Sequence, residues 1–216
     1  MIEPDNTEMT ELAQAGQETA GLLTGRPDAD ADTVRRLQAR LVASADAAGL
    51  LDVGYRSIDT PVGSLLLAAT DQGLVRVAYA VEDHDRVLDQ LATKVSPRVL
   101  RAPGRLDTAA RELDEYFGGR RTSFDLPVDL RLSTGFRREV LAKLATIGYG
   151  STASYTAMAV AAGRPKAVRA AASACATNPL PVIVPCHRVI KSDGTIGRYV
   201  GGEAAKRTLL TLEGAA

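Results

Sequence analysis

The sequence predicts three consecutive parts: an extra N-terminal helical extension, an α+β domain with a small antiparallel sheet and helices, and a mainly α C-terminal domain containing a helix-turn-helix. Three observations support this prediction. The first 50 residues are acidic and weakly periodic, the middle alternates apolar and polar residues between Gly-containing turns, and the last third has apolar residues at helical spacing. We place the boundaries at 1–50, 51–130 and 131–216.

The overall composition is that of a globular protein with one or two domains. Of its 216 residues, 45% are hydrophobic and 24% are charged, which is too apolar for a disordered chain. No apolar run approaches the roughly 20 residues of a membrane span, and the acidic first residues do not resemble a secretory signal. The only cysteines are Cys175 and Cys186, so a disulfide framework and a four-cysteine zinc site are excluded. We therefore expect a cytoplasmic protein without a membrane partner.

Charge is distributed unevenly along a chain whose formal net charge is zero. Residues 1–50 contain four basic and nine acidic residues (−5), residues 51–130 ten and thirteen (−3), and residues 131–216 twelve and four (+8). A basic C-terminal third on a neutral chain favours a polyanionic partner at that end. A solvated basic face without a partner is an equally good interpretation.

The extension is predicted to contain a tail and one helix. Residues 1–30 are rich in small polar residues and are interrupted by glycine and proline, which indicates a tail. Helical spacing then predicts a helix over 32–47 with Val34, Leu37 and Leu41 on one face. We expect this face to pack on the following domain. The alternative is that the acidic tail competes with a polyanion for the basic C-terminal part.

Residues 51–130 show the alternation and the turn signals of a small sheet. The turns are Thr60-Pro-Val-Gly63 and Asp71-Gln-Gly73. The predicted strands are 53–59, 64–70, 74–79 and a short edge strand at 124–126. The predicted helices are 82–95 and 107–117, the second of which ends at two glycines.

The last third of the chain contains the candidate helix-turn-helix. Its predicted helices are 136–147, a short helix that starts near Ser154 and ends near 162, and 166–176, which has Pro165 at its start. The last helix consists almost entirely of alanine and other small residues. A helix, a Gly-containing turn and a small-residue helix are typical of a helix-turn-helix, although an ordinary αα-hairpin has the same pattern. The nearby cations favour DNA binding; they are Arg164, Lys166 and Arg169.

The stretch from Asn178 to Ile190, with the sequence NPLPVIVPCHRVI, carries the most chemistry. Cys186 follows an apolar run and stands directly after a proline, which predicts a buried thiol. Such a thiol needs a base to become a nucleophilic thiolate, imidazole titrates in the right range, and a carboxylate can hold its tautomer. Cys186, His187 and Glu213 are therefore candidates for nucleophile, base and orienting carboxylate. A structural cysteine beside a surface histidine is the open alternative.

These residues resemble the active-site signature of the O6-alkylguanine–DNA alkyltransferase family. The motif is Pro185-Cys186-His187-Arg188, preceded by Asn178-Pro179 and followed by Gly197-Arg-Tyr199-Val-Gly201-Gly202. The likeness extends over about 135–214, and the segment from Thr60 to Tyr79 is similar to the family's N-terminal domain. The resemblance implies DNA repair in which an alkyl group moves from O6 of guanine, and also O4 of thymine, to Cys186 after the base is flipped out of the duplex.

The resemblance also implies roles for residues around the thiol. Tyr155 matches the tyrosine that rotates the nucleotide and donates to guanine N3, and Asn178 matches the residue that braces the turn behind the recognition helix. Arg169 matches an arginine finger that fills the gap left by the flipped base. The residues alone leave open that Tyr155 is a core tyrosine with its hydroxyl at the rim and that Arg169 is a phosphate contact or a surface arginine.

The implied contact residues form two sets. Those expected on DNA are Arg169, Arg164, Lys166, Ala170 and Ser173, where small residues permit close approach to the minor groove. Those expected around the base are Tyr155, Val189, Tyr199, Val200 and Gly201. Two positions depart from the family pattern: Arg198 stands where Gly or Asn is usual, and Val200 where Ser or Ala is frequent.

The implied mechanism is an in-line displacement by the Cys186 thiolate, with His187 taking the thiol proton through a water and Glu213 polarising His187. No second thiol is placed to resolve the thioether, so each molecule is expected to act once. We expect no metal and no cofactor, and a monomer whose partner is duplex DNA containing O6-alkylguanine, with cooperativity on DNA left open. Two alternatives are a non-catalytic binder of alkylated DNA and a helix-turn-helix regulator.

Overall fold

The computed structural model describes residues 31–215, so the predicted tail at 1–30 lies outside the described residues. The first helix, α1, spans Ala31–Ala47, in agreement with the helical spacing. Its apolar residues Val34, Leu37 and Leu41 are 49%, 57% and 55% exposed. The packing of this face on the following domain stays a prediction.

A four-stranded sheet follows, with the strand order β3-β2-β1-β4. The strands are β1 (Val53–Thr60), β2 (Gly63–Thr70), β3 (Gly73–Tyr79) and β4 (Val99–Arg101). The first three form the antiparallel meander that the alternation predicts. The edge strand β4 pairs with β1 in parallel, and the sequence analysis missed it because three residues are too few to show a period.

The predicted edge strand at 124–126 is not formed. Instead, the chain makes one isolated parallel bridge between Leu74 and Val128. Leu74 N–H donates to the Pro127 carbonyl, and Asp129 N–H donates to the Leu74 carbonyl, both at 2.8 Å. Proline lacks an N–H and cannot extend a regular ladder, so pairing at this edge stays limited to the residues around Pro127.

Two helices cover opposite faces of the sheet. Helix α2 (His84–Lys94) packs Val87 and Leu91 on one face, and α3 (Asp107–Phe117) packs Leu113 on the other. Because side chains alternate along a strand, both faces of this small sheet bury apolar residues. The face under α3 also belongs to the core of the C-terminal helices, so the two parts share one continuous apolar interior.

The C-terminal part is mainly helical, which confirms the predicted fold class. Its helices are α4 (Gly135–Leu144), α5 (Tyr155–Ala161), α6 (Val168–Ala176) and α7 (Gly202–Leu212). Two-residue strands β5 (Ala153–Ser154) and β6 (Val189–Ile190) pair in parallel. The turn between α5 and α6 completes the helix-turn-helix.

The helix ends in this part depend on local capping. Ser154 Oγ accepts a hydrogen bond from Ala157 N–H at 3.0 Å and caps α5, which begins where the sequence predicts this helix to start. Helix α6 begins at Val168, two residues later than expected, because Pro165 and Lys166 belong to the preceding turn. Within the described part of the chain, no helix has both the length and the apolar character needed to cross a membrane.

Replacement of Leu113 by alanine tests the shared core. Leu113 is fully buried between α3 and the sheet, so Leu113→Ala should lower the free energy of unfolding by about 3 kcal/mol. The matched control Val81→Ala, at an exposed position, should change it by less than about 0.5 kcal/mol. Urea denaturation measures both values, and a loss below about 1 kcal/mol for Leu113→Ala would contradict this account.

Candidate active site

Three segments of the C-terminal part meet around the turn that carries Cys186. The thiol lies at the start of a short 3-10 turn formed by Cys186–Arg188. The residues after α6 bring Asn178 to it, and Glu213 follows the last turn of α7. All of these side chains are buried, so the site is built into the apolar core that the sheet and the C-terminal helices share.

The Cys186 thiol is held by Asn178 and is only 2% exposed. Asn178 Nδ2 donates to Cys186 Sγ at 3.1 Å and to the Val184 carbonyl at 2.8 Å. Its Oδ1 accepts from Leu180 N–H at 3.0 Å, so one side chain braces the turn and contacts the thiol. Burial raises the pKa of Cys186 to about 11, although the Asn178 hydrogen bond and the Lys206 ammonium oppose this shift. The resting thiol is therefore neutral and needs a base.

His187 is arranged as a neutral base. Burial lowers the pKa of His187 below its usual 6.5, so the imidazole is uncharged at neutral pH. Its Nε2 lies 2.9 Å from Glu213 Oε1, which fixes the tautomer with the hydrogen on Nε2. Nδ1 is buried and has no hydrogen-bond partner within the part of the chain that the structure describes. That ring nitrogen is the atom free to accept a proton.

Glu213 is an ionised carboxylate inside the protein. Arg188 donates to it twice, from Nε at 2.8 Å and from Nη2 at 2.9 Å, and the Tyr116 hydroxyl donates at 2.6 Å. Burial alone would raise the pKa of Glu213, but the hydrogen bonds from His187 and Arg188 outweigh it and lower the pKa to about 2. The carboxylate therefore remains charged at any physiological pH and orients His187.

Sequence reasoning missed three residues of this network. Tyr116 comes from α3, 97 residues before Glu213, and no local pattern marks it. Arg188 lies in the motif and could have been identified, because a buried carboxylate needs more than one hydrogen-bond donor. Lys206 is fully buried on α7 and donates from Nζ to the Val189 carbonyl, which places a positive charge near the thiol.

The loop from Gly197 to Gly201 forms another wall of the site. Tyr199 is buried, and its ring centroid lies 6.4 Å from that of His187. A Cβ atom on Gly197 would lie 2.3 Å from the Tyr155 hydroxyl, so glycine is required for this close approach. Tyr155 is partly buried, and burial raises its pKa to about 12, so its hydroxyl remains a donor.

The structure thus brings together the residues expected around the base. Val189 is buried beside the thiol-bearing turn, and Val200 and Gly201 follow Tyr199 in the loop. The residues expected on DNA lie elsewhere, on the surface of the helix-turn-helix. The exposed ones are Lys166 in the turn before α6 and, on one face of that helix, Arg169, Ala170 and Ser173.

The opposite side of α6 anchors it to the core. Ala171, Ala174 and Cys175 are buried there, so Cys175 points away from the exposed face. Arg164 is exposed in the turn before α6, with its guanidinium carbon 5.0 Å above the Phe136 ring. Among the described residues, no cluster of three or more His, Cys, Asp or Glu side chains is placed to hold a metal ion.

Comparisons with known proteins match both parts of the fold. A family model described as 6-O-methylguanine DNA methyltransferase, DNA binding domain, matches residues 135–215. A second, described as the ribonuclease-like domain of the same enzyme, matches residues 53–130.

Individual relatives support the same assignment. The methylated-DNA–protein-cysteine methyltransferase of Mycobacterium tuberculosis H37Rv is 40% identical over 161 residues, which cover 74% of this chain and 92% of the relative. The constitutive enzyme of that name from Bacillus subtilis is 36% identical over 160 residues, covering 74% and 94%. A crystal structure of the M. tuberculosis OGT in complex with DNA aligns with a TM-score of 0.66 at 39% identity, covering 75% of this chain and 93% of that one. The resemblance found in the sequence is confirmed, and the chain belongs to the 6-O-methylguanine DNA methyltransferase family.

Proposed function

We propose that this protein repairs alkylated DNA as a methylated-DNA–protein-cysteine methyltransferase, moving the alkyl group from O6 of guanine to Cys186. The observation that carries the proposal is a buried thiol held by Asn178 next to the His187–Glu213 pair. Alkyl transfer is supported by a relative named methylated-DNA–protein-cysteine methyltransferase, and a DNA partner is supported by a related structure solved in complex with DNA. A purely structural cysteine would not need beside it a neutral imidazole whose second ring nitrogen has no hydrogen-bond partner among the described residues.

The proposed reaction begins with loss of the thiol proton. His187 Nδ1 takes this proton through a water, and the resulting imidazolium is stabilised by the Glu213 charge. Cys186 Sγ then attacks the alkyl carbon in line with the C–O6 bond. The S–C bond forms as the C–O6 bond breaks, and its electron pair stays on the guanine. The proton held by His187 returns to the leaving base, so the products are a thioether and guanine.

Tyr155 and the loop would bind the guanine during this displacement. A protonated phenol can donate to guanine N3, where negative charge develops as the base leaves. The backbone and side chains of Tyr199, Val200 and Gly201 would enclose the ring. The same thiolate chemistry applies to O4 of thymine, because the alkyl group there is also on an exocyclic oxygen.

We propose that the α6 surface binds duplex DNA and that Arg169 replaces the flipped base. Alkylated O6 lies on a base edge inside the helix, so the nucleotide must leave the stack to reach a buried thiol. Alanine and serine on the exposed face of α6 allow the helix to approach the groove closely. A guanidinium can stack on neighbouring bases and donate hydrogen bonds at once.

The reaction is proposed to occur once per molecule and without a cofactor. A thioether is not cleaved by the groups around Cys186, and the second thiol, Cys175, is buried in α6. The protein is proposed to act as a monomer, since the complete set of residues named above comes from one chain.

Serine at position 186 tests the nucleophile. Cys186→Ser should accept no tritiated methyl groups from an O6-methylguanine duplex, while its affinity for DNA stays within about twofold, because the exposed face of α6 is unchanged. The matched control Cys175→Ser should still accept one methyl group per molecule. Transfer to Cys186→Ser at the rate of the unaltered protein would overturn the proposal.

The pH dependence of transfer tests His187. In the unaltered protein, the rate should be constant from pH 7 to 9 and should fall only below pH 6.5, because burial lowers the pKa of His187 and keeps the base neutral. In His187→Gln, the thiol must ionise unaided from a pKa of about 11. Its rate should be about 100-fold lower at pH 7 and should rise about tenfold per pH unit up to pH 9.

The other histidine of the chain, His84 in α2, is the matched control for this experiment. His84→Gln should keep the plateau of the unaltered protein. A His187→Gln variant with the same flat profile would show that another group accepts the proton.

Alanine at position 169 tests base flipping. Arg169→Ala should slow repair of duplex DNA by about tenfold or more, because flipping costs a few kcal/mol and about 1.4 kcal/mol corresponds to tenfold. Its reaction with free O6-benzylguanine should be nearly unchanged. Arg111→Ala, which removes an exposed arginine of α3, should affect neither substrate. Equal losses on both substrates for Arg169→Ala would indicate misfolding instead.

A further inference from the structure

Strand β3 of the sheet contacts the wall of the active site at two points. Val77 N–H donates to the Pro179 carbonyl at 2.8 Å, directly after the asparagine that holds the thiol. Two residues later, at the end of the strand, the Tyr79 hydroxyl lies 3.0 Å from the Tyr199 hydroxyl. The sheet therefore supports both the turn behind Cys186 and the loop in front of it.

The contact between Tyr79 and the loop is close and is shielded from solvent. The rings of Tyr79 and Tyr199 are 5.7 Å apart at an interplanar angle of 76°, an edge-to-face packing that adds to the hydrogen bond. A Cβ atom on Gly201 would lie 2.6 Å from the Tyr79 ring. Both tyrosines are buried, so Tyr79 fixes the end of the loop through Tyr199 and Gly201 together.

A tyrosine side chain therefore packs against a glycine at each end of the loop. At its start Tyr155 contacts Gly197, and at its end Tyr79 contacts Gly201. With the loop in this position Cys186 is 2% exposed, which is too little for an alkylated purine to reach Sγ. The loop must move before the thiol can react, and Tyr79 is the contact that the sheet supplies against that movement.

A cavity borders the loop at Val200. This cavity, of about 340 Å³, also lies next to Asn178 and is lined by side chains of α2 and β3. O6-methylguanine contains only the fused purine rings and a methyl group, whereas a benzyl substituent adds a phenyl ring. A larger substituent therefore requires a larger displacement of Tyr199 and Gly201 from Tyr79.

We infer that Tyr79 is a specificity-determining residue, which holds the Tyr199–Gly201 end of the loop over Cys186 and so disfavours bulky O6 substituents relative to methyl. It is a positioning residue, because it acts through Tyr199 and Gly201 and does not contact the reacting atoms. The inference rests on the proposed function, since it concerns which alkyl groups reach the thiol.

The test compares one duplex carrying either O6-methylguanine or O6-benzylguanine, so that DNA binding is the same in both reactions. Tyr79→Phe keeps the ring and removes the hydrogen bond. It should raise the single-turnover rate for the benzyl adduct about fivefold, equivalent to about 1 kcal/mol, and change the methyl rate less than twofold. The control Tyr55→Phe, on β1 against the opposite face of the sheet, should change neither rate.

A second measurement follows the loop without any substrate. Alkylation of Cys186 by the bulky reagent N-phenylmaleimide, read by peptide mass spectrometry, should be about fivefold faster in Tyr79→Phe. Alkylation of Cys186 by the small reagent iodoacetamide should change less than twofold, and alkylation of Cys175 should stay unchanged with both reagents. Faster reaction at both cysteines would indicate general loosening of the core and would overturn the inference. Tyr199→Phe removes the same hydrogen bond from its other side and should reproduce the higher benzyl-to-methyl ratio.

The outcomes separate the two proposals. If the unaltered protein transfers neither group, the proposed function fails. If it transfers both, and Tyr79→Phe and Tyr199→Phe leave the benzyl-to-methyl ratio unchanged, the role of Tyr79 fails while the function stands.

Discussion

The charge on Glu213 is the constraint on which the rest of the site depends. A carboxylate inside an apolar core is strongly disfavoured unless it is paired and hydrogen-bonded. Here Arg188 pairs with it through two nitrogens, and Tyr116 and His187 supply further donors. Those donors come from α3 and from the turn that carries the thiol, so satisfying one carboxylate brings the sheet part and the helical part together.

The same burial sets the protonation states of the thiol and of the imidazole. A low-dielectric environment raises the pKa of a thiol and lowers that of an imidazole, so Cys186 and His187 are both neutral at rest. A permanently ionised thiolate would react with any small electrophile that reached it. A neutral thiol beside a neutral base instead becomes nucleophilic only as the proton moves, which couples reactivity to the arrival of a correctly placed alkyl carbon.

Sequence patterns predicted the regular elements and the local motif. Alternation located β1 to β3, helical spacing located the helices, and the Pro-Cys-His-Arg motif pointed to Cys186 and, by chemistry, to Glu213. The patterns did not predict β4, because it has only three residues and pairs with a strand that is distant in sequence. They did not predict the roles of Tyr79 and Tyr116, because these depend on contacts across 120 and 97 residues of sequence. The division at 1–50, 51–130 and 131–216 and the roles of the site residues remain predictions.

The order in which the chain is synthesised gives the position of Glu213 a further consequence. Its partner His187 is made 26 residues earlier, and Tyr116 earlier still. Domains fold during translation from the N-terminal side, so the sheet and Tyr116 are synthesised well before the carboxylate that binds them to the C-terminal part. Until Glu213 is present, the Tyr116 hydroxyl lacks its acceptor and the Arg188 guanidinium lacks its counter-ion, so both resist burial. Productive closure of the core therefore waits for the end of α7, and a chain truncated before residue 213 should be a target for chaperones or proteases instead of an alkyl acceptor.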